Sequence, residues 1–362
     1  MSHSADKLLL YTTLLLLALG FLVLTSASLV ISYKNFGSPF YYTLRQLLQG
    51  GIGGGAVLLL TQWIPYRWWK TLAVPLVILS FLLLALVFVP EVSYGAGGAR
   101  RWLKIGTVSF QPSELLKLSF IMYLAGWLDA RRREIASFSY GMIPFALMLA
   151  IIGIFLVMQP DIGTLGVIVA SAAVLYFLGG GTKFQIAALG AFGASMFYLL
   201  VQLAPYRLHR ILVFLNPRLD PQGIGYQANQ AAIAIGSGGF WGQGFGRSLQ
   251  KYSYLPEPLG DSIFAIFAEE VGFLGVAALI ALFLFFFSRG ISIAQSAPDT
   301  FGKLLAAGIS ISILLQAFIN MAAISGLLPL TGIALPFVSY GSTSLIMTLA
   351  GVGILLNISK QA

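Results

Sequence analysis

The chain has 362 residues, of which 58% are hydrophobic and only 9% charged, with a mean hydropathy of +0.89. Ordinary soluble domains are about 25% charged, so the polar surface needed to coat a water-soluble globule is missing and that class is excluded. The net charge is +9 with a pI near 9.7; its basic residues sit between apolar runs, which points to membrane topology and anionic lipid and away from nucleic acid.

Cysteine is absent, and His3 and His209 are the only histidines. Disulfides, thiolate metal sites, a cysteine nucleophile and a histidine-rich metal cluster are therefore excluded. Acid–base chemistry falls mainly on the 12 carboxylates.

In chain order, Lys7, an apolar stretch and Ser26-Ala27-Ser28 imitate a signal peptide. The apolar run from Leu8 to about Leu24 is longer than an h-region of about 7–15 residues, and it reads as an uncleaved first span. Further apolar runs predict an all-α polytopic membrane helix bundle of about ten transmembrane helices, at 8–32, 43–64, 68–89, 111–128, 140–158, 162–180, 184–204, 262–288, 303–324 and 340–358. Each is near the roughly 20 residues that cross a hydrocarbon core. One integral membrane domain over 1–362 is expected, with a large extracytoplasmic loop, about 205–261, between spans 7 and 8. Trp63, Trp68, Trp69, Trp102 and Trp127 fall near span ends, as an aromatic belt requires. In the second span, Gly50/Gly54 and Gly51/Gly55 are interlaced small-xxx-small pairs that predict close helix packing.

Ten spans put both termini on one side. With the termini inside, inner segments and outer segments carry ten basic residues each, but five of the outer ones lie in the 205–261 loop. Long loops count little for topology. The remaining ten-to-five ratio favours cytoplasmic termini, and the outer basic charge then calls for an anionic ligand.

Four polar stretches are candidates for chemistry. In Phe110 to Lys117, Pro112 suits the first turn of a helix, and Glu114 and Lys117 share a face at i,i+3. They read either as a self-neutralising pair or as a polar cavity wall. Asp161, in Met158 to Thr164, reads as a helix cap or a site residue. The long loop holds Arg207, His209 and Arg210, then a glycine-rich run from Gly236 to Gly246 ending in Arg247. That run is either a flexible loop or a place where backbone N–H groups approach a phosphate. Asp261 precedes an apolar span and reads as its N-cap or as a functional carboxylate, while of Glu269 and Glu270 only one is expected to face a cavity. Between the last two spans, Gly326 to Ser342 is punctuated by Pro and Gly, as irregular backbone lining a cavity would be.

Together these stretches resemble the SEDS family of bacterial cell-wall polymerases (shape, elongation, division and sporulation) over essentially the whole chain. The resemblance rests on Thr25-Ser26-Ala27-Ser28, Arg100-Arg101-Trp102, Phe110 to Lys117, Gln159-Pro160-Asp161, Asp220-Pro221 with Gly225-Tyr226-Gln227, Leu255 to Asp261 and Leu335 to Gly341, in that order. Asn35 to Gln46, Tyr206 to Phe214 and Leu356 to Ser359 look more like the division-type branch (FtsW) than the elongation-type branch (RodA). The resemblance implies a peptidoglycan glycosyltransferase of the bacterial cytoplasmic membrane. Such an enzyme polymerises lipid II on the outer face, during cell division or wall growth, beside a class B penicillin-binding protein. It implies Asp261 as the essential aspartate and a substrate-binding set of Glu114, Lys117, Asp161, Arg207, Arg210 and Ser339. The chemistry agrees: sugar transfer from a lipid pyrophosphate needs a base for the acceptor hydroxyl and positive charge for the leaving group. Arg207, Arg210, Lys117 or a divalent cation such as Mg or Mn would supply the charge. Leu259-Gly260, Ser262 and Gly341-Ser342-Thr343-Ser344 depart from the family's usual residues. A lipid II flippase and a non-catalytic division scaffold are the alternatives.

Overall fold

Away from water every backbone N–H and C=O must be satisfied internally, so apolar runs of this length fold as helices. The computed structural model describes residues 5–96, 99–106, 108–202, 205–216, 219–220, 222–252 and 254–361. Its helices are α1 (Lys7–Phe36), α2 (Tyr41–Arg45), α3 (Gly53–Trp63), α4 (Tyr66–Leu86), α5 (Pro112–Ala130), α6 (Ile143–Met158), α7 (Ile162–Leu178), α8 (Lys183–Gln202), α9 (Pro205–Leu215), α10 (Ile224–Gly238), α11 (Ile263–Ser296), α12 (Thr300–Ile324) and α13 (Ser342–Ser359). Wide π turns at Gln46–Ile52 and Phe138–Met142 continue into α3 and α6. Helix therefore occupies each of the ten intervals expected from the sequence. Among the described residues, six helical segments are long and apolar enough to cross a membrane: Lys7–Phe36, Tyr66–Leu86, Phe138–Met158, Ile263–Ser296, Thr300–Ile324 and Ser342–Ser359.

Three features depart from the sequence reading. The fold is mostly, not wholly, helical: β1 (Ser93–Ala96), β2 (Ala99–Ile105) and β3 (Val108–Phe110) form an antiparallel sheet in the order β1-β2-β3. β1 and β3, of four and three residues, are too short to show a pattern in the sequence. The 205–261 segment is not plain loop, since it contains α9 and α10. The eighth expected span is broken, because Gly272 inside α11 has φ 65° and ψ −166°.

The break explains the glycine-rich run, which is neither a phosphate cradle nor a flexible loop. Gln243 N and Gly244 N donate to the carbonyls of Glu269 and Glu270 at 3.0 Å each. In return, Phe273 N and Leu274 N donate to Gly239 and Phe240 carbonyls at 2.9 and 3.3 Å. A Cβ on Gly272 would strike the Gly242 nitrogen, and one on Gly242 would strike the Glu270 carbonyl. The run replaces the hydrogen bonds that the break removes, at a backbone approach only glycine permits.

Glycines also seat α3 as expected. A Cβ on Gly54 would lie 2.6 Å from Leu349 Cδ1 of α13. α12 is the central helix, with 78% of its most apolar window buried, whereas the outward α11 buries 22%.

The two ends of the bundle differ. At one end Asp6 N donates to Ser359 Oγ at 3.0 Å, Arg289 Nη2 pairs with Asp6 at 2.5 Å, and Tyr66 N donates to Asn357 Oδ1 at 2.8 Å. Tyr66 Oη and Arg67 Nε reach Asp299 Oδ2 at 2.7 and 3.1 Å, and Lys70 pairs with Asp129 at 2.6 Å. The beginning of α1 and the end of α13 are thus side by side. The sheet, the α6–α7 turn and the irregular 325–341 stretch gather at the other end.

Candidate functional site

Asp261 ends a turn folded on one carbonyl. Gly260 N and Ser262 N both donate to Glu257 O, at 3.1 and 3.3 Å, with Glu257 at φ 48°. Remote segments then fix three consecutive carbonyls. Tyr340 N donates to Leu259 O at 2.8 Å, Ser339 Oγ to Gly260 O at 2.7 Å, and Asn320 Nδ2 to Asp261 O at 2.9 Å. The same Asn320 amide reaches Ile333 O at 2.7 Å. The backbone under Asp261 is therefore clamped by α12 and by the irregular stretch that follows it.

The carboxylate itself is not the cap of α11. Ser262 holds the N-cap position and makes no side-chain capping bond. Instead Gln227 Nε2, from α10, lies 3.4 Å from both Asp261 oxygens and donates to Ser262 Oγ at 3.0 Å. Burial, followed by the negative charge of Glu257, raises the Asp261 carboxyl to about 6; the Gln227 bond opposes this. Asp261 lines a small cleft with Arg101, Arg210, Gln227, Leu330, Thr331 and Gly332. A carboxylate whose proton affinity is raised, in a cleft also lined by two guanidinium groups, can take a proton while an anion is held in the same cleft.

The other expected residues divide. Arg210 lines this cleft. Arg207 belongs to α9, and its side chain lies outside the described residues. Ser339 is buried and does not line the cleft; besides holding Gly260 O, its Oγ accepts from Leu335 N at 2.8 Å. Asp161 is the N-cap of α7, accepting from Thr164 N at 3.4 Å and from Ser113 Oγ at 3.1 Å. Its capping role is the one the structure shows, and it ties the starts of α5 and α7 together.

Glu114 and Lys117 form an ion pair of 2.9 Å with side chains 7% and 10% exposed. Lys117 Nζ also donates to Gln316 Oε1, and Gln316 Nε2 to Ala334 O at 2.9 Å. They line a second, small cavity with Ser312, Thr348 and Gly351, and Asp261 is not among its walls. Through Gln316 the pair is tied to Ala334, in the irregular stretch whose Leu330, Thr331 and Gly332 border the Asp261 cleft.

Glu269 and Glu270 are both buried in one polar cluster, and neither lines the two cavities described above. Glu270 Oε1 accepts from Ser26 Oγ at 2.6 Å and pairs with Lys251 Nζ at 3.3 Å. Glu269 accepts from Ser248 Oγ and from Leu249 N at 3.0 Å. Adjacent side chains diverge on a helix, but the 246–252 segment wraps around it and meets both.

Sequence reasoning missed Arg101, Gln227 and Gly332 as cleft residues. Arg101 and Gln227 stood within recognised motifs, and Gly332 within the Gly326 to Ser342 stretch expected to line a cavity; nothing local placed the three together.

Comparison with known proteins places this geometry. The FTSW_RODA_SPOVE family model, described as cell cycle protein, matches residues 6–362. The chain is 43% identical over 360 residues to stage V sporulation protein E of Bacillus subtilis, covering 99% of this chain and 98% of that one. It is 40% identical over 359 residues to the probable peptidoglycan glycosyltransferase FtsW of Geobacter sulfurreducens, covering 98% and 95%. Among solved structures, a chain from a peptidoglycan synthase complex that coordinates polymerization and crosslinking superposes with a TM-score of 0.80 at 30% identity, covering 98% and 97%. The rod shape determining protein RodA of Thermus thermophilus gives 0.72 at 29%, covering 98% and 96%. A form of it with one aspartate replaced by alanine gives the same score.

Proposed function

Because the chain belongs to the FtsW/RodA/SpoVE family of cell cycle proteins, we propose that it is a peptidoglycan glycosyltransferase polymerising lipid II, with Asp261 as the general base. Relatives named for this activity match it at about 40% identity over their full length, and its similarity favours the FtsW-like branch. The observation that carries the assignment of Asp261 is its place in the cleft, held from α10, α12 and the 326–341 stretch, opposite Arg101 and Arg210.

In a single inverting displacement the acceptor hydroxyl meets the Asp261 carboxylate and attacks the anomeric carbon of the donor. The bond to the diphosphate breaks with its electron pair on the leaving oxygen, and the hydroxyl proton passes to Asp261. A carboxyl held near 6 is ionised at neutral pH and basic enough for this transfer. No protein nucleophile is required. Gln227 orients the carboxylate, and the cleft's guanidinium groups offset charge developing on the leaving group. A divalent cation such as Mg or Mn fits as an ion shared with substrate phosphates, since Mg usually takes only one or two protein carboxylates. It would be held chiefly by those phosphates and would supply further charge for the diphosphate.

The reading places a single multi-pass domain in the bacterial cytoplasmic membrane, with ten crossings. The end bearing Lys7, Arg67, Lys70, Arg289 and Lys360 is cytoplasmic by the positive-inside rule, and the Asp261 end, with the 205–261 segment, is external. α9 supports this, since Leu208, Leu212 and Leu215 are exposed apolar residues on a strongly amphipathic helix suited to the membrane interface. A class B penicillin-binding protein is the proposed crosslinking partner, by likeness to the synthase complex.

The test is polymerisation of lipid II by purified wild type and Asp261→Asn protein. The wild type should form glycan with activity falling by half near pH 6, and the Asn variant should form none. Near-normal polymerisation by the variant overturns the assignment.

A further inference from the structure

Beside Asp261 stands a guanidinium that forms no ion pair among the described residues. Arg101, on β2, donates from Nε to the Gln159 carbonyl at 3.3 Å and from Nη2 to the Pro160 carbonyl. Both acceptors are neutral. Among the described residues no carboxylate pairs with Arg101, whereas Lys117, Lys251 and Arg289 each have one. A partly buried cation whose hydrogen bonds go to neutral carbonyls can take an anionic partner from the cleft in a stronger, charge-assisted bond.

The space in front of it is left by a missing side chain. A Cβ on Gly332, at φ 70°, would lie 3.9 Å from Arg101 Nη1 and 4.0 Å from Asp261 Oδ2, so these two atoms are no more than about 8 Å apart. Gly332 is the floor between the cation and the carboxylate. Leu330, Thr331 and Arg210 complete this side of the cleft.

We propose that Arg101 holds the leaving diphosphate of the polyprenyl-linked donor, and that Gly332 is the floor on which that diphosphate rests. The inference builds on the glycosyltransferase reading and adds to it which of the two diphosphates is bound here. In the displacement, Asp261 touches the attacking hydroxyl, and reacting atoms are about 3 Å apart. A phosphate within reach of a group so near Asp261 is therefore the one on the bond being broken. The acceptor's own diphosphate is a whole disaccharide further away. Arg101 keeps its proton throughout and shares the developing charge through hydrogen bonds from Nη1, while Nε and Nη2 keep the guanidinium plane fixed on the 159–160 turn. Were Arg101 only a tie between β2 and that turn, a neutral donor would serve as well.

The experiment compares purified wild type, Arg101→Gln, Arg101→Lys and Gly332→Asn. The last keeps both charged groups, and Asn tolerates a positive φ better than other side chains. Two readouts are taken: lipid II polymerisation, and the rise in melting temperature caused by a short-chain polyprenyl diphosphate against the matching monophosphate. Arg101→Gln should lower kcat by about 100-fold or more, as loss of one oxyanion donor does, with a smaller change in KM. It should also lose the preference for diphosphate over monophosphate. Arg101→Lys should recover part of both, and Gly332→Asn should lose the preference with Arg101 intact. The proposal is overturned if Arg101→Gln polymerises within a few-fold of wild type, or loses activity while still preferring the diphosphate. If Arg101→Gln does not fold, Gly332→Asn decides in the same way through its preference. Failure of the underlying reading looks different: Asp261→Asn would then polymerise normally, whatever Arg101 does.

Discussion

Replacing Asp261 by Asn should stabilise the protein while abolishing its activity. As an N-cap, Asp261 would have favoured folding by about 1 kcal/mol; the structure reverses that sign, because the carboxylate caps nothing and is raised to about 6 by burial and by Glu257. Every tenfold gain in proton affinity is worth about 1.4 kcal/mol, so from an ordinary value near 3.8 ionised Asp261 costs folding up to about 3 kcal/mol. It borders an open cleft, and solvent screening brings the expectation to about 1–3 kcal/mol. The native state binds this proton more tightly than the unfolded chain, so the contribution favours folding at acid pH, is lost as pH rises from about 4 through about 6, and stays lost above 7. Asn has no charge to bury. Denaturant titrations in matched micelles at pH 7.5 and pH 4.5, beside polymerisation assays, test this. The Asn variant should be the more stable protein at pH 7.5, with the gap closing towards pH 4.5. A variant less stable than wild type at pH 7.5, or a gap equal at both pH values, refutes the reasoning.

Lys251 and Glu270 pair at 3.3 Å with side chains 2% exposed each. Lys251→Met strands a buried carboxylate and should cost about 3–5 kcal/mol, with Lys251→Met/Glu270→Gln costing clearly less than the sum of the single changes in a double-mutant cycle; strict additivity would rule out the pairing. A cysteine at exposed Gln243 should react with an impermeant reagent in intact cells, and reaction only after permeabilisation would invert the proposed topology.

Membrane class, helical segments and several local roles were legible in the sequence because each depends on neighbours within a turn or two of chain. The apolar runs predicted every spanning-length helical segment. The i,i+3 spacing of Glu114 and Lys117 predicted an ion pair that forms at 2.9 Å. A carboxylate after Pro160 predicted the cap that Asp161 provides. Recognised motifs singled out Asp261 and Arg210, which meet in one cleft.

The tertiary structure alone decided what depends on partners far away in the chain. Glu270 is one residue of an apolar helix until α1 brings Ser26 and the 246–252 segment brings Lys251 to it. The break at Gly272 is invisible locally, because a helical glycine and a broken one read alike; it persists because Gly239 and Phe240 carbonyls accept the hydrogen bonds the helix gives up. Asp261 looked like a cap because a carboxylate before a helix usually is one, and only Gln227 of α10 and the turn at Glu257 show where it points. Arg101 and Gly332 are far from Asp261 in sequence, with two long helices between Asp261 and Gly332, and only packing of β2 and the 326–341 stretch around one turn makes them a site.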